Sequence, residues 1–110
     1  MKYKQSLKFS LRSNYKGYRI EFSEEKNLIL KETRGVGFED VLLAIKGDKI
    51  LGDFKHHSKK FSHQRILAIE IGEYVYAVPY VINPKRKTVF LKTTYPSRVL
   101  TGKYMKGGEK

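Results

Sequence analysis

The chain contains no cysteine, which excludes disulfides, thiolate-held zinc and a catalytic thiol. Acidic residues are scarce: 11 Asp and Glu stand against 23 Lys and Arg, a formal net charge of +12. Long apolar runs are absent too. Nothing approaches the roughly 20 apolar residues that cross a membrane, and no apolar segment of signal-peptide length follows the basic residues 1–10. A protein with no membrane association and a cytoplasmic location is expected. His56, His57 and His63 have neither a thiol nor a well-spaced carboxylate beside them, so no metal site and no cofactor is expected.

What is present is the composition of a folded domain. Of 110 residues, 40% are hydrophobic and 13% aromatic, outside the range in which high charge means disorder. The length suits one domain over residues 1–110. Residues 1–16 form a basic extension that reads equally as an edge strand or as an arm that orders on nucleic acid, and 105–110 as a flexible tail. Residues 18–22 read as a short strand, followed by Ser23 as a helix cap with Glu24 and Glu25 in the first turn. That helix runs to about Thr33 and stops at Gly35 and Gly37. A second begins at Phe38, whose apolar set with Val41, Leu42 and Ile45 repeats at helical spacing before Gly47. Residues 49–54 suit a strand, and 55–64 a polar basic loop whose one apolar residue is Phe61. Residues 66–71 and 74–82 flank Gly72-Glu73, a two-residue hairpin signal. With 88–95 they make a three-stranded antiparallel meander, and a bulge or strand end is expected near Pro79. Ser97 opens a short C-terminal helix. The fold class is therefore α+β: a small antiparallel sheet of three to five strands, two N-terminal helices packed on one face, and a short C-terminal helix.

A surplus of cations on a compact domain commonly serves to hold a polyanion, and nucleic acid is the expected partner. Strand alternation puts Phe90 and Lys92 on one sheet face, opposite Val89 and Leu91. If the helices cover the Val89 side, the other face interleaves aromatics and cations, and Tyr76 and Tyr80 add stacking surface if their register agrees; taken singly, each of these tyrosines reads first as half-buried core. Arg34, Lys55, Lys59, Lys60 and Lys92 complete the candidate RNA-binding set. Metal-free RNA cleavage needs proton-transfer groups and cations on the phosphorane. Arg34, Arg65 and Arg98 all lie at element ends, where segments can converge, and His63 beside Arg65 is either a proton-transfer group or a surface histidine.

The residues Phe22-Ser23-Glu24-Glu25-Lys26, then Arg34-Gly35-Val36-Gly37-Phe38-Glu39-Asp40, then His63-Gln64-Arg65, and finally Tyr95-Pro96-Ser97-Arg98 with Tyr104, together resemble the BrnT-like toxins of bacterial type II toxin-antitoxin modules over about residues 19–104. Arg34 stands where that family often has histidine. The resemblance implies a RelE-like fold, cleavage of mRNA either on or off the ribosome, and a cognate antitoxin whose complex with the toxin binds operator DNA. By position it carries function onto Lys26, Arg65, Ser97 and Arg98. The leading expectation is thus an endoribonuclease toxin in which Arg65 and Arg98 clamp the phosphate, Lys26 adds charge, and His63 or Tyr104 moves the proton. The alternatives are a non-catalytic nucleic-acid-binding module and a gyrase-type poison on the same scaffold.

Overall fold

The structure, a computed structural model, describes residues 7–8 and 17–105. Among the described residues the architecture is α+β with three α-helices and a mixed sheet. In chain order the elements are β1 (Leu7–Lys8), β2 (Arg19–Phe22), α1 (Glu24–Arg34), α2 (Phe38–Lys46), β3 (Ile50–Lys55), β4 (Arg65–Ile71), β5 (Tyr74–Asn83), β6 (Thr88–Leu91), β7 (Tyr95–Pro96) and α3 (Arg98–Met105). Across the sheet the order is β1-β2-β6-β5-β4-β3, with β7 added on β5. The expected antiparallel sheet of three to five strands is corrected on both counts. Among the described residues the sheet has seven strands, and β2 lies parallel to β6. The long route from β2 through α1 and α2 to the later meander is what permits that parallel pairing. Of the basic extension, Leu7–Lys8 forms an edge strand on β2. Residues 1–6 and 9–16, and the tail from 106, lie outside the described residues.

The meander β4-β5-β6 forms as the alternation predicts. At its first turn Gly72 takes φ +65°, the left-handed conformation that a two-residue hairpin requires at that position. Pro79 causes no bulge: it pairs with Ile66 inside β5. Its carbonyl accepts from Lys92 N at 2.8 Å, so its missing N–H faces the same side, where β6 has already ended at Leu91. The single strand expected over 88–95 is accordingly two short ones separated by residues 92–94.

Both N-terminal helices pack on one face. Register places Ile20, Phe22, Val89, Leu91, Val78, Tyr80, Leu67 and Ile69 toward Leu30, Phe38, Val41 and Ile45, and the Phe22 and Phe38 rings meet at 4.7 Å. Helix α1 starts where Ser23 Oγ accepts from Lys26 N at 3.2 Å and ends at Gly35, whose φ is +74°.

The two helices are latched by Asn27, 1% exposed. Its Oδ1 accepts from Phe38 N at 2.6 Å, capping α2, and its Nδ2 donates to both oxygens of Glu39 at 3.0 Å. Burial raises the Glu39 pKa, but the hydrogen bonds from Asn27 and from its own backbone, with the charge of Lys31 3.4 Å away, more than offset it and hold the carboxyl below its ordinary value. Gly37 is required here by space: a Cβ would stand 2.6 Å from Asn27 Oδ1 and 2.9 Å from Lys31 Cγ. Asn27→Ala is expected to lower unfolding free energy by about 1–3 kcal/mol in urea melts, since it orphans the buried Phe38 N–H and removes one of the partners of Glu39. Gly37→Ala should destabilise through the same latch, and additivity of the two substitutions would show that the latch is misassigned.

Candidate functional site

The basic residues expected to converge do not all do so. Arg65 and Tyr80 lie on the helix-covered face, where β3, β4 and β5 run side by side. Asp53, whose side chain is 6% exposed, accepts there from Tyr80 Oη at 2.6 Å and Arg65 Nε at 3.1 Å. A second guanidinium nitrogen of Arg65 donates to the Asp53 carbonyl at 3.2 Å. Arg65 is thereby tied to a buried carboxylate. Burial opposes its charged form, but the hydrogen bonds and charges of Asp53 and Tyr80 outweigh this and raise its pKa. Burial first, then the hydrogen bond and charge of Asp53, push the Tyr80 phenol well above its ordinary value, with Arg65 offsetting part of the shift.

Arg98 begins α3, on the opposite face. There Val99 and Leu100 line a groove with Ile66 and Ala77, and the Tyr104 hydroxyl sits against Gly52. Ser97 is committed to the start of that helix: its Oγ accepts from Leu100 N at 3.1 Å and its carbonyl from Thr101 N at 2.9 Å. The sheet therefore lies between Arg65 and Arg98.

The tyrosines also take a different face from the one an open stacking surface requires. Tyr80 pairs with Leu91 and so shares its side, fully buried, while Tyr76 is half-buried on the same side with its ring edge-on to Tyr74 at 6.4 Å. The register correction follows from Val81, not Tyr80, standing opposite Phe90. Arg34 spans from the end of α1 to the Thr94 carbonyl at 3.2 Å, pinning the 92–94 break. His63 is exposed and lines a cleft on the face away from α1 and α2.

What the fold does bring together is at the sheet end beyond Pro79. Lys26 from the first turn of α1 and Lys92 just after β6 line a cleft of about 360 Å³ with His56, Phe61, Gln64 and Tyr95. The 56–64 loop is folded back on itself: His56 N donates to the Gln64 carbonyl at 3.0 Å, and Ser58 caps a turn of 3₁₀ helix over Lys59–Phe61. Lys59 and Lys60 are exposed on that turn, and Lys60 Nζ lies 5.8 Å from the Phe61 ring centre. Lys55 is exposed at the end of β3, one residue before His56. The His56 ring stacks on His57 at 5.0 Å and tilts on Phe61 at 5.2 Å. Its Nδ1 accepts from Ser58 N at 3.1 Å, so neutral His56 carries its hydrogen on Nε2.

His56, Phe61 and Tyr95 were not among the residues that the pattern singled out for RNA. Phe61 did carry a signal, as the one apolar residue of a polar loop, which needs an apolar or aromatic neighbour. Among the described residues no group of three or more His, Cys, Asp or Glu could hold a metal ion, and no helix is long and apolar enough to cross a membrane. Comparison with known protein families, with curated proteins and with solved structures finds no match to this chain.

The raised Tyr80 pKa sets a pH dependence. A group that holds its proton more tightly when folded contributes its full stability below its unfolded pKa, about 10 for tyrosine, and loses it as pH rises further. The stability gap between the wild type and Tyr80→Phe is therefore expected to be constant from pH 7 to 9 and to shrink above pH 10 in urea melts. A gap unchanged to pH 11 would contradict a buried, proton-holding phenol.

Proposed function

We propose that this protein binds single-stranded RNA, with the sheet-end cleft as its central contact. The observation that carries the reading is the meeting of Lys26 and Lys92, distant in sequence, in one cleft walled by Phe61, Tyr95 and the His56 ring. Ammonium groups track phosphates without reading sequence, and aromatic faces stack unpaired bases. The exposed Lys55, Lys59 and Lys60 extend the positive surface next to His56. The overall charge of +12 attracts the strand from a distance.

A second reading is favoured by one feature of the same cleft. His56 presents a neutral Nε2–H beside two cations, which suits hydrogen-bond and charge support of a phosphorane: the 2′-oxygen gives its proton to water and bonds to phosphorus, the 5′-oxygen leaves with a proton from water, and a 2′,3′-cyclic phosphate remains. In this reading the protein is an endoribonuclease toxin on a RelE-like scaffold, neutralised by a cognate antitoxin. The BrnT-like order of motifs supports it. Lys26 with Lys92 would then do what the resemblance gives to Arg65 and Arg98, with His56 as a further hydrogen-bond donor to the phosphorane.

Fluorescence anisotropy with a short labelled RNA tests the first reading. Lys26→Ala and Lys92→Ala are each expected to weaken binding about 3- to 10-fold at 100 mM salt and to reduce the salt slope by about 0.7. Arg98→Ala should change affinity less than about 2-fold on the same scale of one lost phosphate contact; a larger loss there than at Lys26 moves the RNA to the α3 face. Cleavage separates the two readings. An endoribonuclease yields cyclic-phosphate ends whose amount falls in His56→Ala even at saturating RNA, whereas intact RNA at protein excess leaves binding alone.

A further inference from the structure

The sheet-end cleft holds one polar group that the fold itself leaves unused. Gln64, just before β4, is only 8% exposed, yet it lines the cleft beside Lys26, His56 and Lys92. Its backbone is anchored on both sides: the N–H donates to the Phe61 carbonyl at 2.8 Å, and the carbonyl accepts from His56 N at 3.0 Å. The side-chain amide has no hydrogen-bond partner among the described residues. A buried amide without a partner costs stability. Its partner is therefore to be sought in whatever enters the cleft.

The neighbouring groups narrow the choice. The ammonium groups of Lys26 and Lys92 can only donate, and neutral His56 carries its hydrogen on Nε2 because Nδ1 accepts from Ser58 N. No carboxylate is among the described residues that line the cleft, and the hydroxyls of Thr93 and Tyr95 can donate or accept. Gln64 thus sets a donor and an acceptor side by side in a site whose other nitrogen groups are all donors.

The Watson–Crick edge of a pyrimidine is the complement of that arrangement. Uracil presents O4, N3–H and O2 in a row, and cytosine its 4-amino group, N3 and O2. In each, the first two positions are one donor and one acceptor, which an amide meets in one of its two orientations. The third is a carbonyl, which needs a donor. Guanine ends the same row with its 2-amino donor, turned toward groups that also donate, and adenine ends it with C2–H, which pairs with nothing. We propose that Gln64 makes this cleft a pyrimidine-reading subsite. The amide pairs with the base at positions 3 and 4, and His56, across the loop from Gln64, donates Nε2–H to O2. Lys26 and Lys92 are left for the phosphates. The inference rests on the RNA-binding reading and adds base preference to it, which lysines and aromatic faces do not supply.

The test is fluorescence anisotropy with an adenosine decamer whose central base is A, U, C, G or 3-methyluracil, using the wild type and Gln64→Met. The wild type is expected to bind the U and C decamers about 10-fold more tightly than the A decamer, toward the low end for one bidentate contact. G should bring no gain. 3-Methyluracil keeps both carbonyls but lacks N3–H, and should bind like A. Gln64→Met fills a similar space without the amide, and thermal melts establish that it is folded. It should bind every decamer within about 2-fold of the wild type's affinity for A, the preference having rested on the amide. Equal affinity for U and A overturns the subsite and leaves the RNA reading standing, as does a preference that survives Gln64→Met. Failure to bind any decamer overturns both. If Gln64→Met does not fold, the wild type decides by itself: 3-methyluracil bound as tightly as U overturns the pairing with the amide.

Discussion

One buried carboxylate governs how the charges of this protein are spent. Asp53 on β3 accepts the Tyr80 hydroxyl from β5 and the Arg65 guanidinium from β4, so three adjacent strands are tied at one point on the helix-covered face. A carboxylate that far from water is tolerable only when its lone pairs are filled. The arginine is the counter-ion that lets Asp53 be buried. This is why Arg65, which by chain position looks ready to hold a phosphate, serves the sheet.

The same logic of filled polar groups joins the helices to that sheet. Asn27 uses both ends of its amide, one to cap α2 and one to hold Glu39, and sets how α1 meets α2. The position of α1 in turn places Lys26 at the sheet end. Pro79 acts on the opposite wall: its missing donor coincides with the break between β6 and β7, where Lys92 leaves the ladder and its amide bonds to the Pro79 carbonyl. The sheet-end cleft is thus a product of a helix latch and a strand interruption, each satisfied locally.

Around this frame the cations divide into two kinds. Arg65, Arg34 and Arg86 make contacts with the protein itself, at Asp53, the Thr94 carbonyl and Glu21. Lys26, Lys55, Lys59, Lys60 and Lys92 lie on or next to clefts lined by rings. Arginine's planar fork favours the first use and lysine's compact charge on a long stem the second. The RNA reading rests on the lysines.

Much of the fold was legible from local chemistry. Ser23 and Glu24 start α1, the Phe38, Val41, Leu42, Ile45 stripe makes α2, and Gly72 turns the β4-β5 hairpin, because caps, helical periodicity and positive φ act within a few residues. The site was not legible in the same way. Whether Tyr80 faces RNA or core depends on a register in which it stands opposite Leu91, and a shift of one residue would reverse its side. The parallel pairing of β2 with β6 joins segments far apart in the chain, which no local pattern encodes. By itself the sequence determined the charge, the helices, the hairpin and the mixed α+β character, all of which rest on composition and near neighbours. Only the tertiary structure decided that Arg65 and Arg98 stand on opposite faces while Lys26 and Lys92 share a cleft, because strand order and register are settled by packing between distant residues.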